Sequence, residues 1–357
     1  TGFVGESGVT RDFMGGRMFA LHFRSAAVYD TIPHPRAWMY CTVNHGRRAL
    51  MASINGRDQF AFHIQLKPGQ SDAQIGDAEA KALFQEALGA PLDIEIIARS
   101  AWNAGYTLVA EKFRRGRIVL GGDAVHLFTP TGGLGYNTAV EDAVNLGWKL
   151  AALLNGWGGP ALLDSYEIER QAIARRNTAY ARGFADSLGL FKLPPEIEDD
   201  GPAGDAARKL AGDHFNHHAR FEFNIPGITF GGRYDGSPLI VSDGTAPPAD
   251  TANTYQPSAC PGGRAPHLWL ADGRSLYDAL GFEFTLLQLS ATANTTAFHD
   301  AARALRIPLS ILKLEHEEAR DLYAADLALI RPDQIVAWRG PASADAVNVL
   351  RRAAGTV

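Results

Sequence analysis

The stretch Gly116–Leu150, GRIVLGGDAVHLFTPTGGLGYNTAVEDAVNLGWKL, decides how this chain is read. An apolar strand over 117–125 (RIVLGGDAV) ends in two glycines and an aspartate, a glycine-rich loop continues to Gly135, and a long helix follows toward Gly156. Ala139, Ala143, Leu146, Leu150 and Leu153 recur at steps of 4, 3, 4 and 3, which predicts one buried apolar helix face. Gly132, Gly133 and Gly135 carry no Cβ, so a flat ligand can approach the backbone there. The helix aims its free N–H groups and positive dipole end back at the loop, an arrangement that stabilises negative charge. Asp123 stands at the strand end, where it can accept hydrogen bonds from a sugar-like hydroxyl. Asn137 can either cap the helix or bond the amide edge of a ligand.

Upstream, MFALHF (18–23), WMYCTV (38–43), ALMASI (49–54) and QFAFHI (59–64) read as short, partly alternating strands of a mostly antiparallel sheet. NHGR (44–47) and Asn55-Gly56 supply turns. AEAKALFQEAL (78–88) is a short amphipathic helix, and IEIIARSAW (94–102) returns to strand. Downstream, a charge-rich helix spans roughly 161–182. Residues 194–262 then turn rich in Pro, Gly, Asp and Ser, with one helix near 205–218. From Gly262, strands and helices alternate as a small α/β unit. The division expected is a substrate-binding sheet region over 1–115, the glycine-loop motif and its helices over 116–193, a linker over 194–256 and a last domain over 257–357.

Composition limits the alternatives. The 357 residues suit two or three domains. With 34 basic and 39 acidic residues the net charge is −5, and no basic stripe is present, so nucleic acid is not an expected partner. The two cysteines, Cys41 and Cys260, form no CxxC pair and read as reduced thiols in a cytoplasmic protein. No apolar run approaches the roughly 18 residues of a membrane span. His214 and His218 are spaced i, i+4, but a solvated linker helix is the simpler reading, and no metal is expected. Neither GxSxG nor a P-loop occurs.

The central stretch resembles the second FAD motif of the class A flavoprotein monooxygenases, the para-hydroxybenzoate hydroxylase-like family. The matching elements run in order: Gly122-Asp123-Ala124-Val125-His126, Pro130, Gly133-Leu134-Gly135-Tyr136-Asn137, Asp142-Ala143 and Trp148-Lys149-Leu150. The resemblance implies an α/β (α+β) chain: the C-terminal part of that FAD-binding fold, a mostly antiparallel substrate-binding sheet, and a thioredoxin-like C-terminal domain as in the phenol and polyketide hydroxylase branch. It implies that Gly122 and Asp123 bind the ribityl chain, that Pro130 lies beside the isoalloxazine, and that Gly133 to Asn137 face its pyrimidine edge. The implied reaction uses FAD, NAD(P)H and O2, and hydroxylates a phenolic or polycyclic aromatic substrate through a flavin C4a-hydroperoxide. FAD would be held noncovalently, and a homodimer is left open. The family's opening GxGxxG unit, which holds the ADP half of FAD, is not in this sequence; Gly133-x-Gly135 comes nearest, with Thr138 in the third place. The chain is therefore expected to start downstream of the ADP pocket.

Residue by residue, Trp38, Tyr40, Trp102 and Tyr106 are collectively the candidates for an aromatic substrate pocket, with core packing as the competing role for each. No catalytic base is assigned. His126 reads as a loop histidine that orders its neighbours; Asp142, Trp148 and Lys149 read as helix packing and a solvated pair. Two other readings stay open: a non-oxygenating flavin dehydrogenase or reductase of the same fold, and a noncatalytic truncated fragment. Oxygen uptake coupled to a hydroxylated product separates the first, and flavin absorbance the second.

Overall fold

The computed structural model describes residues 3–6, 17–46, 48–67, 70, 75–103, 105–314 and 317–357. In chain order the first elements are β1 (Phe3–Glu6), β2 (Arg17–Arg24), α1 (Val28–Thr31), β3 (Met39–Val43), β4 (Arg48–Ser53), β5 (Gln59–Gln65), α2 (Asp77–Leu88) and β6 (Glu95–Asn103). Strands β3-β4-β5-β2-β6 form one antiparallel sheet. Its strict alternation follows from the two-residue side-chain period of a strand. Phe19, Leu21, Phe23, Phe60, Phe62 and Ile64 turn to one face and pack on Leu83, Phe84 and Ala87 of α2. Helix α2 ends at Gly89, whose φ of 75° suits the left-handed position that glycine fills. The register places Met18, Ala20, His22, Leu50, Ala61, His63, Ser100 and Trp102 on the other face. At Asn55, the side-chain Oδ1 accepts the N–H groups of Arg57, Asp58 and Gln59, closing the β4–β5 turn.

Next come β7 (Thr107–Ala110), β8 (Arg114–Arg115), β9 (Ile118–Val119), β10 (His126–Leu127), α3 (Leu134–Leu154), α4 (Ala161–Gly189), α5 (Pro202–Phe223) and α6 (Pro226–Phe230). The strand expected over 117–125 is thus only two residues of β9, paired with β8, followed by a 3-10 turn at Gly122–Ala124. In the region read as a linker, the helix expected near 205–218 is α5, which is 22 residues long and packs against α4; the short α6 follows it, and no helix is found over 231–256.

Helix α3 departs from its expected orientation. Its buried face is Thr138, Asp142, Asn145, Trp148, Lys149 and Ala152, while Val140, Val144, Leu150 and Leu154 are exposed. Lys149, expected in a solvated pair, is fully buried. The reason is that the polar face meets polar partners on α4 and the C-terminal unit. Asn145 and Lys149 bond Glu169, and Asn177 bonds Thr138. Buried polar groups are tolerated when each is paired.

The C-terminal unit holds α7 (Leu276–Ala279), β11 (Phe284–Gln288), α8 (Thr296–Leu305), β12 (Leu309–Lys313), α9 (Glu317–Tyr323), β13 (Leu327–Ile330), β14 (Val336–Gly340) and α10 (Ala346–Ala353). Its sheet order is β12-β11-β13-β14, with β11 and β12 parallel and the other pairs antiparallel. From β11 onward the chain follows the β-α-β-α-β-β-α path of a thioredoxin-like unit. Phe284, Leu286, Phe298, Leu329 and Leu350 share a core with Trp148, Ala152 and Leu162, joining this unit to α3 and α4.

Candidate functional site: a glycine turn before helix α3

Two turns bracket the site. In the first, Gly122 takes φ +61°, and its N–H donates to Asp142 Oδ2 at 2.9 Å. The same carboxylate accepts from His126 Nε2 and Arg170 Nε, each at 2.7 Å. Burial alone would raise the Asp142 pKa, but the His126 hydrogen bond, the Arg170 guanidinium and the Gly122 N–H outweigh it and hold it below the usual carboxylate range. Asp142 and His126 therefore lie behind the turn and fix it. Asp123, in contrast, is exposed at the tip.

The second turn runs from Pro130 into α3. Gly132 and Gly133 take φ +69° and +63° in succession, a conformation that L side chains rarely adopt. A Cβ on Gly133 would meet no atom within 4 Å, so open space lies over that backbone, whereas one on Gly132 would stand 3.0 Å from the Phe184 ring. The N-terminus of α3 carries no side-chain cap. Leu134 is buried, and Gly135, expected in the loop, joins Tyr136 and Asn137 in the first helical turn. Asn137 is exposed, and its Nδ2 folds back onto the Gly133 carbonyl at 2.8 Å. From behind, Glu222 of α5 accepts the Gly132 N–H at 2.8 Å and pairs with His218 at 2.8 Å. His214 stacks on Phe191 at 4.0 Å and bonds the Ser187 carbonyl. Two of the three α5 histidines thus pack inward, unlike those of a solvated helix. Among the described residues no group of three or more His, Cys, Asp or Glu is placed to hold a metal.

The two glycines set up a paired prediction. Gly133→Ala should cost only the left-handed backbone penalty, about 1–2 kcal/mol. Gly132→Ala should cost more, because the Phe184 ring must also give way. Urea midpoints of the two variants check the order; equal losses would mean that the Phe184 contact is slack.

The four aromatic candidates do not converge. Trp102 lies on the open sheet face beside Met18, Leu50, Ala185 and Leu188. Tyr40 is on the opposite face, 6.5 Å from Tyr29 and packed on the α2 core. Trp38 is largely exposed at the start of β3. Tyr106 is half-buried and follows Gly105, where an added Cβ would strike Thr129 Cα at 2.6 Å. Strand β6 thus leads from the Trp102 face directly to the Pro130 turn. One neighbour was missed in the sequence. Trp102 Nε1 donates to His63 Nδ1 at 3.3 Å, and burial pushes the His63 pKa down. Indole can only donate, so the neutral His63 ring carries its proton on Nε2. Only a cross-strand register exposes this pair. Arg48, on the same face, donates to the carbonyls of Leu188, Gly189 and Phe191, tying the end of α4 to the sheet.

A bare-backbone turn, an uncapped helix N-terminus and an exposed aspartate on the neighbouring turn thus lie close together, an arrangement suited to a flat ligand that carries negative charge. Comparison with known proteins identifies the family. The model of an FAD-binding domain matches residues 5–181, and that of the aromatic-ring hydroxylase C-terminal domain matches residues 258–357. A putative polyketide hydroxylase of Streptomyces coelicolor is 30% identical, over 95% of this chain and 65% of its own length. Phenol 2-monooxygenase of a Pseudomonas strain is 32% identical, over 76% of this chain and 50% of its own. The structure of the flavin-dependent monooxygenase PieE with FAD and substrate superposes with a TM-score of 0.85 at 26% identity, over 99% of this chain and 67% of that one. The chain belongs to the class A FAD-dependent aromatic hydroxylase family. It spans about half to two-thirds of the length of these relatives.

Proposed function

We propose that this chain supplies the flavin-ring and substrate side of an FAD-dependent monooxygenase that hydroxylates a phenolic or polycyclic aromatic compound, with NAD(P)H and O2 as co-substrates. The observation that carries the reading is the open backbone at Gly133, set against the uncapped start of α3. Asp123 and Gly122 would hold the ribityl chain, Pro130 would flank the ring, and the backbone from Gly133 to Asn137 would face the pyrimidine edge. Bound flavin, once reduced, supplies the activation of oxygen. The protein's own part is electrostatic and positional. The α3 N-terminus stabilises negative charge on the ring's pyrimidine edge. The sheet face bearing Ala20, Ala61, Ser100 and Trp102 offers a flat floor for an aromatic substrate, and the His63 Nε2–H offers a donor to a substrate oxygen.

The test is flavin binding followed by turnover. Because the given sequence has no GxGxxG unit to hold the ADP half, affinity should rest on the ring, and FAD and FMN should bind this chain within about tenfold of each other. Flavin fluorescence quenching on titration reads this. With a phenol added, NAD(P)H oxidation should yield a hydroxylated product; oxygen consumption that gives peroxide alone would count against hydroxylation. No quenching by either flavin would remove the reading altogether.

A further inference from the structure

A cavity of about 440 Å³ opens between α4, the turn after α6 and the loop 247–264, and none of its lining residues belongs to the flavin turn. Three guanidinium groups line it. Arg176 is held by both carboxylate oxygens of Asp250, at 2.7–3.0 Å. Arg233 is held likewise by Asp235, at 2.7–3.1 Å. These two carboxylates are the only acidic side chains in the lining among the described residues, and both are committed. The third, Arg264, has no carboxylate partner among the described residues; it donates to the Gln334 side chain at 3.2 Å. Its guanidinium lies 4.5 Å from the Tyr277 ring centroid and 5.5 Å from that of Phe230. Stacking of this kind fixes the guanidinium plane before any ligand arrives. Arg264 and Phe230 also line a second cavity of about 320 Å³, so both stand in the wall between two hollows.

The cavity thus holds one uncompensated positive charge in a partly enclosed cleft, where an anion is attracted more strongly than at an open surface. Beside that charge is an aromatic wall. Phe230 and Tyr255 stand 5.5 Å apart, both line the cavity, and Phe230 keeps 41% of its surface exposed. The volume falls in the range of small-molecule sites. We propose that this cleft binds an aromatic anion, with a planar ring against Phe230 and Tyr255 and a phosphate or carboxylate on Arg264. A nucleoside phosphate and an aromatic carboxylic acid share this chemistry.

Calorimetric titration of the chain with AMP, benzoate and inorganic phosphate tests the site without turnover, so the outcome does not depend on the hydroxylase reading. AMP or benzoate should bind more tightly than inorganic phosphate, and the tighter of the two names the source. Arg264→Gln should weaken that ligand about tenfold or more, as loss of a charged hydrogen bond does, and Arg264→Lys should recover part of the loss. Phe230→Ser should weaken the aromatic ligand and leave phosphate unchanged, and it also serves if the Arg264 variant does not fold. Saturating riboflavin, which carries the flavin ring but no phosphate or carboxylate, should not displace the ligand. Four outcomes would overturn the site: no binding of either ring compound at millimolar concentration, phosphate binding as tight as AMP and benzoate, displacement by riboflavin, or unchanged affinity in both Arg264→Gln and Phe230→Ser.

Discussion

Glu169→Gln is expected to destabilise the fold by about 3–5 kcal/mol, the cost of breaking a buried ion pair from one side. Glu169 is 1% exposed, and five hydrogen bonds converge on it. Its Oε1 accepts from Arg331 Nη1 at 2.7 Å and Ser237 Oγ at 2.6 Å. Its Oε2 accepts from Lys149 Nζ at 2.7 Å, Asn145 Nδ2 at 2.8 Å and Arg331 Nη2 at 2.9 Å. Burial would raise its pKa, but the cations of Arg331 and Lys149 hold it far below the usual carboxylate range. Burial pushes the Lys149 ammonium down to about 8 against the pull of Glu169. A glutamine would aim amide hydrogens at donors and leave Asp333 alone to balance two buried cations. Because the cluster joins α3, α4 and the C-terminal unit, the whole urea transition should move to lower concentration, as read by circular dichroism. The triple replacement of Glu169, Lys149 and Arg331 by Met should recover part of the loss, since an apolar core of similar volume often substitutes for a buried ionic cluster. A change under about 1 kcal/mol in Glu169→Gln would mean that the cluster is hydrated and the pairing adds little.

Asp142→Ala should have a double effect. Stability should fall by about 3 kcal/mol or more, because His126 and Arg170 are left buried without their shared acceptor. Flavin affinity should fall with it, because the Gly122 N–H loses the anchor that sets its turn. Asp142→Asn keeps one acceptor oxygen and should restore part of the flavin binding, which a purely global loss of stability would not give. The pH dependence has a definite sign. The folded pKa lies below the unfolded one of about 3.9, so the stabilisation is fully present above that value and is lost as pH falls through the folded pKa. Acid unfolding below about pH 4 should therefore be shallower in Asp142→Asn than in the wild type. Identical acid limbs would place the proton uptake elsewhere.

How much of this could be read from the sequence depended on how far each residue reaches. The sheet was legible because strand alternation and Asn55-Gly56 act within a few residues. The turn before α3 was legible as a turn because consecutive glycines report a backbone need directly, and Gly132 and Gly133 do take positive φ. The α3 face was misread because an apolar stripe was assigned to the inside by default. The polar residues that displaced it find partners far along the chain: Arg170 for Asp142, and Asp333 for Asn145. Glu222 was invisible for the same reason, since it reaches the Gly132 N–H across ninety positions from a stretch whose composition reads as linker. Within the aromatic quartet, Tyr40 and Trp102 were split by parity, because they fall on opposite sides of one sheet.

The outward stripe of α3 has a consequence for handling. Tyr136, Val140, Val144, Leu150 and Leu154 are all exposed along α3, and exposed apolar side chains gathered on one helix favour clustering of molecules. Sulfate and phosphate buffers strengthen that tendency. Preparations of the chain should therefore cloud first in those buffers, and dilute, low-salt conditions suit it best.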